Sequence, residues 1–330
     1  MLRSARKRRS SLYAVAMVAP LVVLVLASCE TVPLVSMHDV WDPQAYRPVF
    51  QDLSESRLEK NMQEIDEQYA ETRTTAKVEL SLETSELSVS ENNKCAALWR
   101  GSRACAWLAR HHPDLGARER YASKGIAMGR KAIQYQSTRV EPYYYTALNL
   151  GAYAEVKAEQ GFVPSKKVLH EAKYMAEMAV AMDPTYDFAG PHRFLGKLIV
   201  EAADTLTHRI APWEEGMTHL QKAVELAPGF GQNRLFLAQA YYDDGDYELA
   251  RVEAEKLYGA PPPPDYTVES EAWRLEAAKL LGGPASGAEI DVSGIEAAAS
   301  DSSWHPAADL DRSRPAHLGT ATEAAASPAR

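Results

Sequence analysis

From residue 52 onward, apolar side chains recur at the period of a helix rather than at the two-residue period of a strand. Leu58, Met62, Ile65 and Tyr69 form the first stripe. Asp52 with Glu55 three residues later has the form of a capping box, so one helix is expected over about 52–77. Val78, Leu80 and Leu82, then Leu87 and Val89, alternate instead; this fits a short hairpin or a linker, and 52–91 reads as an N-terminal helix and linker. Residues 92–282 read as helix after helix, with Trp99, Ser102, Cys105, Ala106 and Ala109 on one face of the first. After Gly283, Ala, Ser, Pro and Gly dominate to Arg330. Such a segment has too little apolar surface to offset the entropy of ordering, and 283–330 is expected to be disordered.

The amino terminus has a different pattern. Arg3, Arg6, Lys7, Arg8 and Arg9 precede an apolar run from Ala14 to Leu26, broken only by Pro20. The run is shorter than the ~20 residues that span a bilayer and has the layout of a signal peptide over 1–28. It ends in Leu26-Ala27-Ser28-Cys29, which resembles the bacterial lipobox. That resemblance implies cleavage before Cys29, lipid on its sulfur and acylation of the new amino terminus. Several acyl chains hold a protein to a membrane where one binds marginally. Glu30, rather than Asp, follows the Cys and favours the outer membrane facing the periplasm. Residues 29–51, with Pro33, Pro43 and Pro48, read as a lipidated tether reaching at most ~75 Å.

Removing the five basic residues of the leader takes the net charge from −9 to −14. An acidic surface argues against nucleic acid as a partner and against a polybasic membrane patch. Beyond Cys29 the remaining cysteines, Cys95 and Cys105, sit on one expected helix about 15 Å apart. A disulfide needs Cα atoms within about 7 Å, so both are expected to be buried free thiols.

Ala172, Ala176, Ala179 and Pro184 lie at steps of 4, 3 and 5, and the steps recur in Gly216, Leu220, Ala223, Pro228 and in Ala250, Ala254, Leu257, Pro262. Gly125, Gly129 and Ala132 are a copy without the proline. Steps of 4 and 3 place three residues on one helical face, where small side chains admit a neighbouring helix closely. Upstream, Tyr145-Thr146-Ala147, Phe194-Leu195-Gly196 and Phe236-Leu237-Ala238 each set a small residue after a larger pair. This pattern resembles the tetratricopeptide (TPR) family. The resemblance implies an all-α, TPR-like helical-hairpin solenoid of about four hairpins over 92–282, with the helix at 52–77 and one at 267–281 (Trp273, Leu275, Leu280, Leu281) capping its ends. Segments of about 155–167 and 202–213 lengthen the second and third repeats, as longer helices or as loops.

A narrower likeness lies in Asp183-Pro184-Thr185-Tyr186, Gly190-Pro191, Arg193, Leu195-Gly196, Ala223 to Pro228, and Asn233-Arg234-Leu235. With the lipobox, this run is similar to the T-component lipoproteins of TRAP transporters, which implies an envelope protein partner such as a solute-binding protein.

The stacked first helices of a TPR array line its concave face, where partners bind. Helical phase from the small residue sends Tyr144, Arg193 and Leu235, then Leu148, Lys197 and Gln239, then Gly151, Val200 and Tyr242 into that groove. Tyr144, Leu148, Arg193, Lys197, Gln239 and Tyr242 are its candidate contacts, suited to an acidic or aromatic peptide or a carboxylate ligand. On this reading Arg193→Ala with Lys197→Ala weakens partner capture and leaves helicity intact. Successive residues of Tyr143-Tyr144-Tyr145 diverge by about 100°, so one is expected in the core, one in the groove and one at an edge. His111-His112 reads as a capping or exposed pair rather than a metal site. Asp243-Asp244-Gly245-Asp246 lacks the downstream Glu of a calcium loop and reads as a tight turn with Gly245 left-handed. No phosphate loop, nucleophile elbow or His-Glu-x-x-His is present. The expectation is a lipid-anchored binding protein, not an enzyme, without a cofactor or metal, with a transport accessory that binds or passes a small ligand as the alternative.

Overall fold

The computed structural model describes residues 46–70, 73–203, 210–263 and 266–282. Cys29, most of the tether and the tail at 283–330 lie outside them. The described residues form helices α1 (Glu55–Ala70), α2 (Thr75–Leu87), α3 (Lys94–His111), α4 (Leu115–Tyr135), α5 (Val140–Glu159), α6 (Lys166–Met182), α7 (Tyr186–Ala203), α8 (Trp213–Leu226), α9 (Gly231–Asp243), α10 (Tyr247–Tyr258) and α11 (Thr267–Leu281), with no strand among the described residues. None of these helices is long and apolar enough to cross a membrane. Each packs on the next through a short connection, giving five consecutive hairpins and a final helix.

The expected N-terminal helix is two helices. The first starts at Glu55, three residues past the proposed cap, and buries Leu58 and Ile65 while Met62 and Tyr69 pack against the core. Residues 78–87 belong to a helix, neither hairpin nor linker. The stripe that α2 buries is Val78, Ser81, Leu82 and Ser85, so half of its helical signal is carried by serine. Those hydroxyls are satisfied by carbonyl oxygens: Ser81 Oγ donates to Ile65 (3.0 Å) and Ser85 Oγ to Ser81 (2.8 Å). Ser85 bonds backward along its own helix and Ser81 across to α1, and a serine so satisfied sits in a core as a small residue.

The repeat positions do what the spacing predicts. Ala172, Ala176, Ala179, Ala223, Ala250, Ala254 and Leu257 are all buried, and Trp99, Ser102, Cys105, Ala106 and Ala109 form one buried face of α3. A Cβ on Gly129 would collide with Thr146 Oγ1 of the next helix. Gly196 of α7 and Gly216 of α8 meet back to back: a Cβ on Gly196 would stand 2.9 Å from the Gly216 carbonyl, and one on Gly216 3.1 Å from that of Gly196. Two helices approach this closely only where neither carries a side chain.

The first long segment, 155–167, divides between an extended α5 and a loop turned by Gly161 at φ +84°. The second falls partly on residues 204–209, outside the described ones. Gly245 is left-handed as expected (φ +83°). Cys95 and Cys105 are buried free thiols, and burial pushes both above the usual thiol range.

One segment departs from every regular element. Asp187, Phe188 and Ala189, at the start of α7, have φ of 48°, 55° and 61°. Three successive left-handed residues, none of them glycine, cost roughly 1–2 kcal/mol each. Gly190 follows because nothing larger fits: a Cβ there would collide with Tyr144 Oη.

The ends of the array also meet. Arg73, between α1 and α2, donates to Glu269 of α11 at 2.6 Å across 196 residues. Its guanidinium also lies over the rings of Tyr69 (5.2 Å) and Tyr266 (4.6 Å). Trp273 and Leu275 of α11 are buried, Leu280 and Leu281 pack against the same cluster, and the two expected caps therefore close on each other.

Candidate functional site

The left-handed turn delivers the Asp187 carboxylate to a point where four helices converge. Tyr144 Oη from α5 donates to Oδ2 at 2.7 Å, Arg193 Nη2 from α7 to the same oxygen at 2.9 Å, and Tyr266 Oη at the start of α11 to Oδ1 at 2.7 Å. Arg193 Nη2 also reaches Tyr144 Oη at 3.1 Å. Its Nη1 donates to the carbonyls of Asp187 and Phe188 and to Asn233 Oδ1 of α9. Asn233 Nδ2 in turn donates to the Phe188 carbonyl (3.1 Å) and to those of Ala223 and Ala227. The turn is thus held in its strained conformation by Arg193 and Asn233, as such backbone must be to persist.

Rings enclose this hub. Arg193 lies 4.7 Å over Phe230, which stacks on Phe188 at 4.7 Å and meets Tyr266 edge-on at 5.0 Å. On the other side Tyr186 Oη donates to Tyr145 Oη, and Tyr145 stacks on Trp99 at 5.9 Å. Arg103 lies over Tyr69 at 4.1 Å and pairs with Asp66, which also holds Arg100. Burial and the Asp187 carboxylate hold the Tyr144 phenol well above its ordinary pKa, so it remains a donor. Burial works against the Arg193 charge, but Tyr144 and Asp187 outweigh it and its pKa is raised.

The predicted groove contacts divide. Tyr144 and Arg193 come together, but both are buried, at 2% and 5% exposure, instead of lining an open surface. The reason is Asp187: its carboxylate draws both donors inward. Tyr143 and Tyr145 are buried as well, so the tyrosine run sends no residue to an edge. Lys197 belongs to a second cluster, 2.6 Å from Glu201, 3.8 Å from Glu155 and over Phe236. Burial raises the Glu155 pKa, yet Arg110, Lys197 and Arg118 outweigh it and hold the carboxyl below its usual range. Leu148 packs on the core, Tyr242 packs edge-on against Tyr247, and Gln239 is half-buried. Helical phase does not reach Asp187 or Tyr266; Gly190-Pro191 before Arg193 marks an unusual backbone there, but not its sign.

His111 Nδ1 lies 2.8 Å from the Trp107 carbonyl, and His112 Nδ1 accepts from the Asp114 backbone N–H, so the pair terminates α3. Among the described residues no group of three or more His, Cys, Asp or Glu could hold a metal ion. A second histidine pair has no signature in the sequence: His192 and His219 meet Nδ1 to Nδ1 at 2.8 Å. Burial pushes His111 down to about 4, and burial with the adjacent His219 does the same to His192. Both are neutral in the folded protein, while the unfolded chain takes up protons near pH 6.5. Stability is therefore full above about 6.5 and falls as pH drops toward 4, by on the order of 2 kcal/mol for His111 alone. Urea midpoints between pH 7 and 4.5 measure this, and His111→Gln flattens part of the slope. A profile unchanged by that substitution refutes the assignment.

Stacked hairpins whose small residues seat one helix on the next define a TPR-like α-solenoid. The chain belongs to the family of regulator of microtubule dynamics protein 1-3 (RMD1-3), whose model matches residues 61–282. That family is not the transporter T-component that the run around Asp183 and Arg193 resembles. A thermophilic TPR protein of Thermus thermophilus is similar in structure, at 18% identity and a TM-score of 0.48, over 66% of this chain and 99% of that one. Large subunit GTPase 1 of Schizosaccharomyces pombe is 23% identical over 164 residues, which are 47% of this chain. The match spans about a quarter (26%) of the GTPase's length.

Proposed function

We propose that this chain is a membrane-anchored binding protein rather than an enzyme. Lipid on Cys29 holds it to the outer membrane of a bacterial envelope, and the inner face of its hairpin array receives a protein partner. The observation that supports the reading is the TPR-like stack of hairpins, in which tyrosines, arginines and carboxylates from α1, α3, α5, α7 and α11 converge on a largely buried hub that opens to solvent at Asp187 and Phe188. A polar and aromatic opening of that kind suits a peptide or protein better than a small apolar ligand. The acidic net charge suits an extracytoplasmic domain held by lipid alone.

The transport-accessory reading has one observation of its own. Asp183 to Tyr186, Gly190, Arg193 and Asn233, which carry the likeness to T-components, are the residues in or beside the Asp187 hub. Crosslinking the full-length protein in its native membranes, followed by mass spectrometry, separates the two. Recovery of a solute-binding protein supports the accessory role, recovery of another envelope protein supports the adaptor, and recovery of neither sinks both. Fractionation tests the anchor: Cys29→Ala leaves the precursor uncleaved and removes lipid from the protein. A mature, acylated Cys29→Ala protein would exclude lipidation at that position.

A further inference from the structure

The Asp187 carboxylate is itself bound as a ligand would be. Three donors from three different helices, Tyr144, Arg193 and Tyr266, satisfy both of its oxygens at 2.7–2.9 Å. A structural ion pair needs no such delivery: Asp187 reaches it only through three successive left-handed residues that an ordinary helix start would avoid. The site is not sealed, since the Asp187 side chain keeps 19% of its exposure and Phe188 beside it 45%. One guanidinium nitrogen and two phenol hydroxyls share the two carboxylate oxygens, Arg193 Nη2 and Tyr144 on Oδ2 and Tyr266 on Oδ1, and hydrogen bonds of this charge-assisted kind are the strong ones.

We propose that Tyr144, Arg193 and Tyr266 form a carboxylate-binding site which the chain's own Asp187 occupies in the free protein, and that an acidic side chain or chain terminus of the partner displaces it as the strained turn relaxes outward. This rests on the partner-binding reading above and specifies its chemistry. The strain in the turn offsets part of what the carboxylate loses on leaving, so exchange is closer to balance than for an unstrained pair. Such intramolecular occupancy lowers the apparent affinity of an incoming ligand by the fraction of molecules with the site free.

The test uses the full-length protein in detergent. Removing the internal carboxylate with Asp187→Ala leaves a cationic cradle open to acetate. Sodium acetate is expected to raise the melting temperature of D187A by several degrees over sodium chloride at equal ionic strength, and to leave wild type unchanged. A fluorescein-labelled hexaglutamate peptide is expected to bind D187A about tenfold more tightly than wild type. Tyr266→Phe added to D187A reduces both responses. Should D187A fail to fold alone, recovery of its helicity by acetate supports the proposal, and the isosteric D187N supplies the peptide measurement. Folded D187A or D187N binding the peptide no better than wild type overturns the proposal, as does a D187A stabilised by phosphate but not acetate. The membrane crosslinking uses wild type and reads partner identity, so either idea can fail without the other.

Discussion

Arg193→Ala lowers stability by about 3–5 kcal/mol or prevents folding altogether. The substitution strands the Asp187 carboxylate, removes the donor from Asn233 Oδ1 and frees two carbonyls of a strained turn, all in a region where Arg193 is 5% exposed. Urea unfolding followed by circular dichroism measures it. Lys197→Ala, at a half-buried position paired with Glu201 and near Glu155, costs about 1 kcal/mol or less. The double substitution that reads from the sequence as a clean probe of a groove is therefore dominated by one member. If Arg193→Ala unfolds at the wild-type urea midpoint, the hub contributes nothing to the fold and the account of the turn is wrong.

Gly196→Ala costs about 2–3 kcal/mol through a single methyl group. That carbon would stand 2.7 Å from Leu220 Cγ and 2.9 Å from the Gly216 carbonyl, and the second contact is backbone on a packed helix with no rotamer to give way. Gly229→Ala is the internal control, because a Cβ there meets nothing within 4 Å. Equal melting temperatures for the two variants would mean that α7 and α8 are not seated on each other as described.

The fold was legible because its signal is made of absences. Gly125, Gly129, Ala172, Ala176, Gly216 and Ala250 mark where a neighbouring helix arrives, and their 4-and-3 spacing is independent of what the rest of each helix carries. The same logic explains the failure at α2. Its buried face is written half in serine, whose hydrophilic label hides a hydroxyl satisfied by a carbonyl of its own helix or of α1; read by hydropathy, Leu80 and Leu87 dominate, and both are exposed. At the site, helical phase puts Tyr144 and Arg193 on the same side, and the two meet at 3.1 Å. It could not report that they are buried, because that depends on a carboxylate delivered by left-handed residues, and Tyr-Asp-Phe-Ala contains no glycine to announce them. The closure of Arg73 on Glu269 spans the whole array, and no local pattern encodes a contact of that range.

That closure changes what kind of object the domain is. An open row of hairpins is extensible: each unit leans only on its neighbours, and repeats can be gained or lost at either end. Here Arg73 is clasped between Tyr69, Tyr266 and Glu269, so the number of hairpins is fixed by the circumference they must complete. Each additional helix layer displaces the last one by roughly 8–10 Å, enough to open the clasp entirely. Inserting one more repeat would break the clasp, whereas a longer helix or loop need not, as the long α5 and its following loop illustrate.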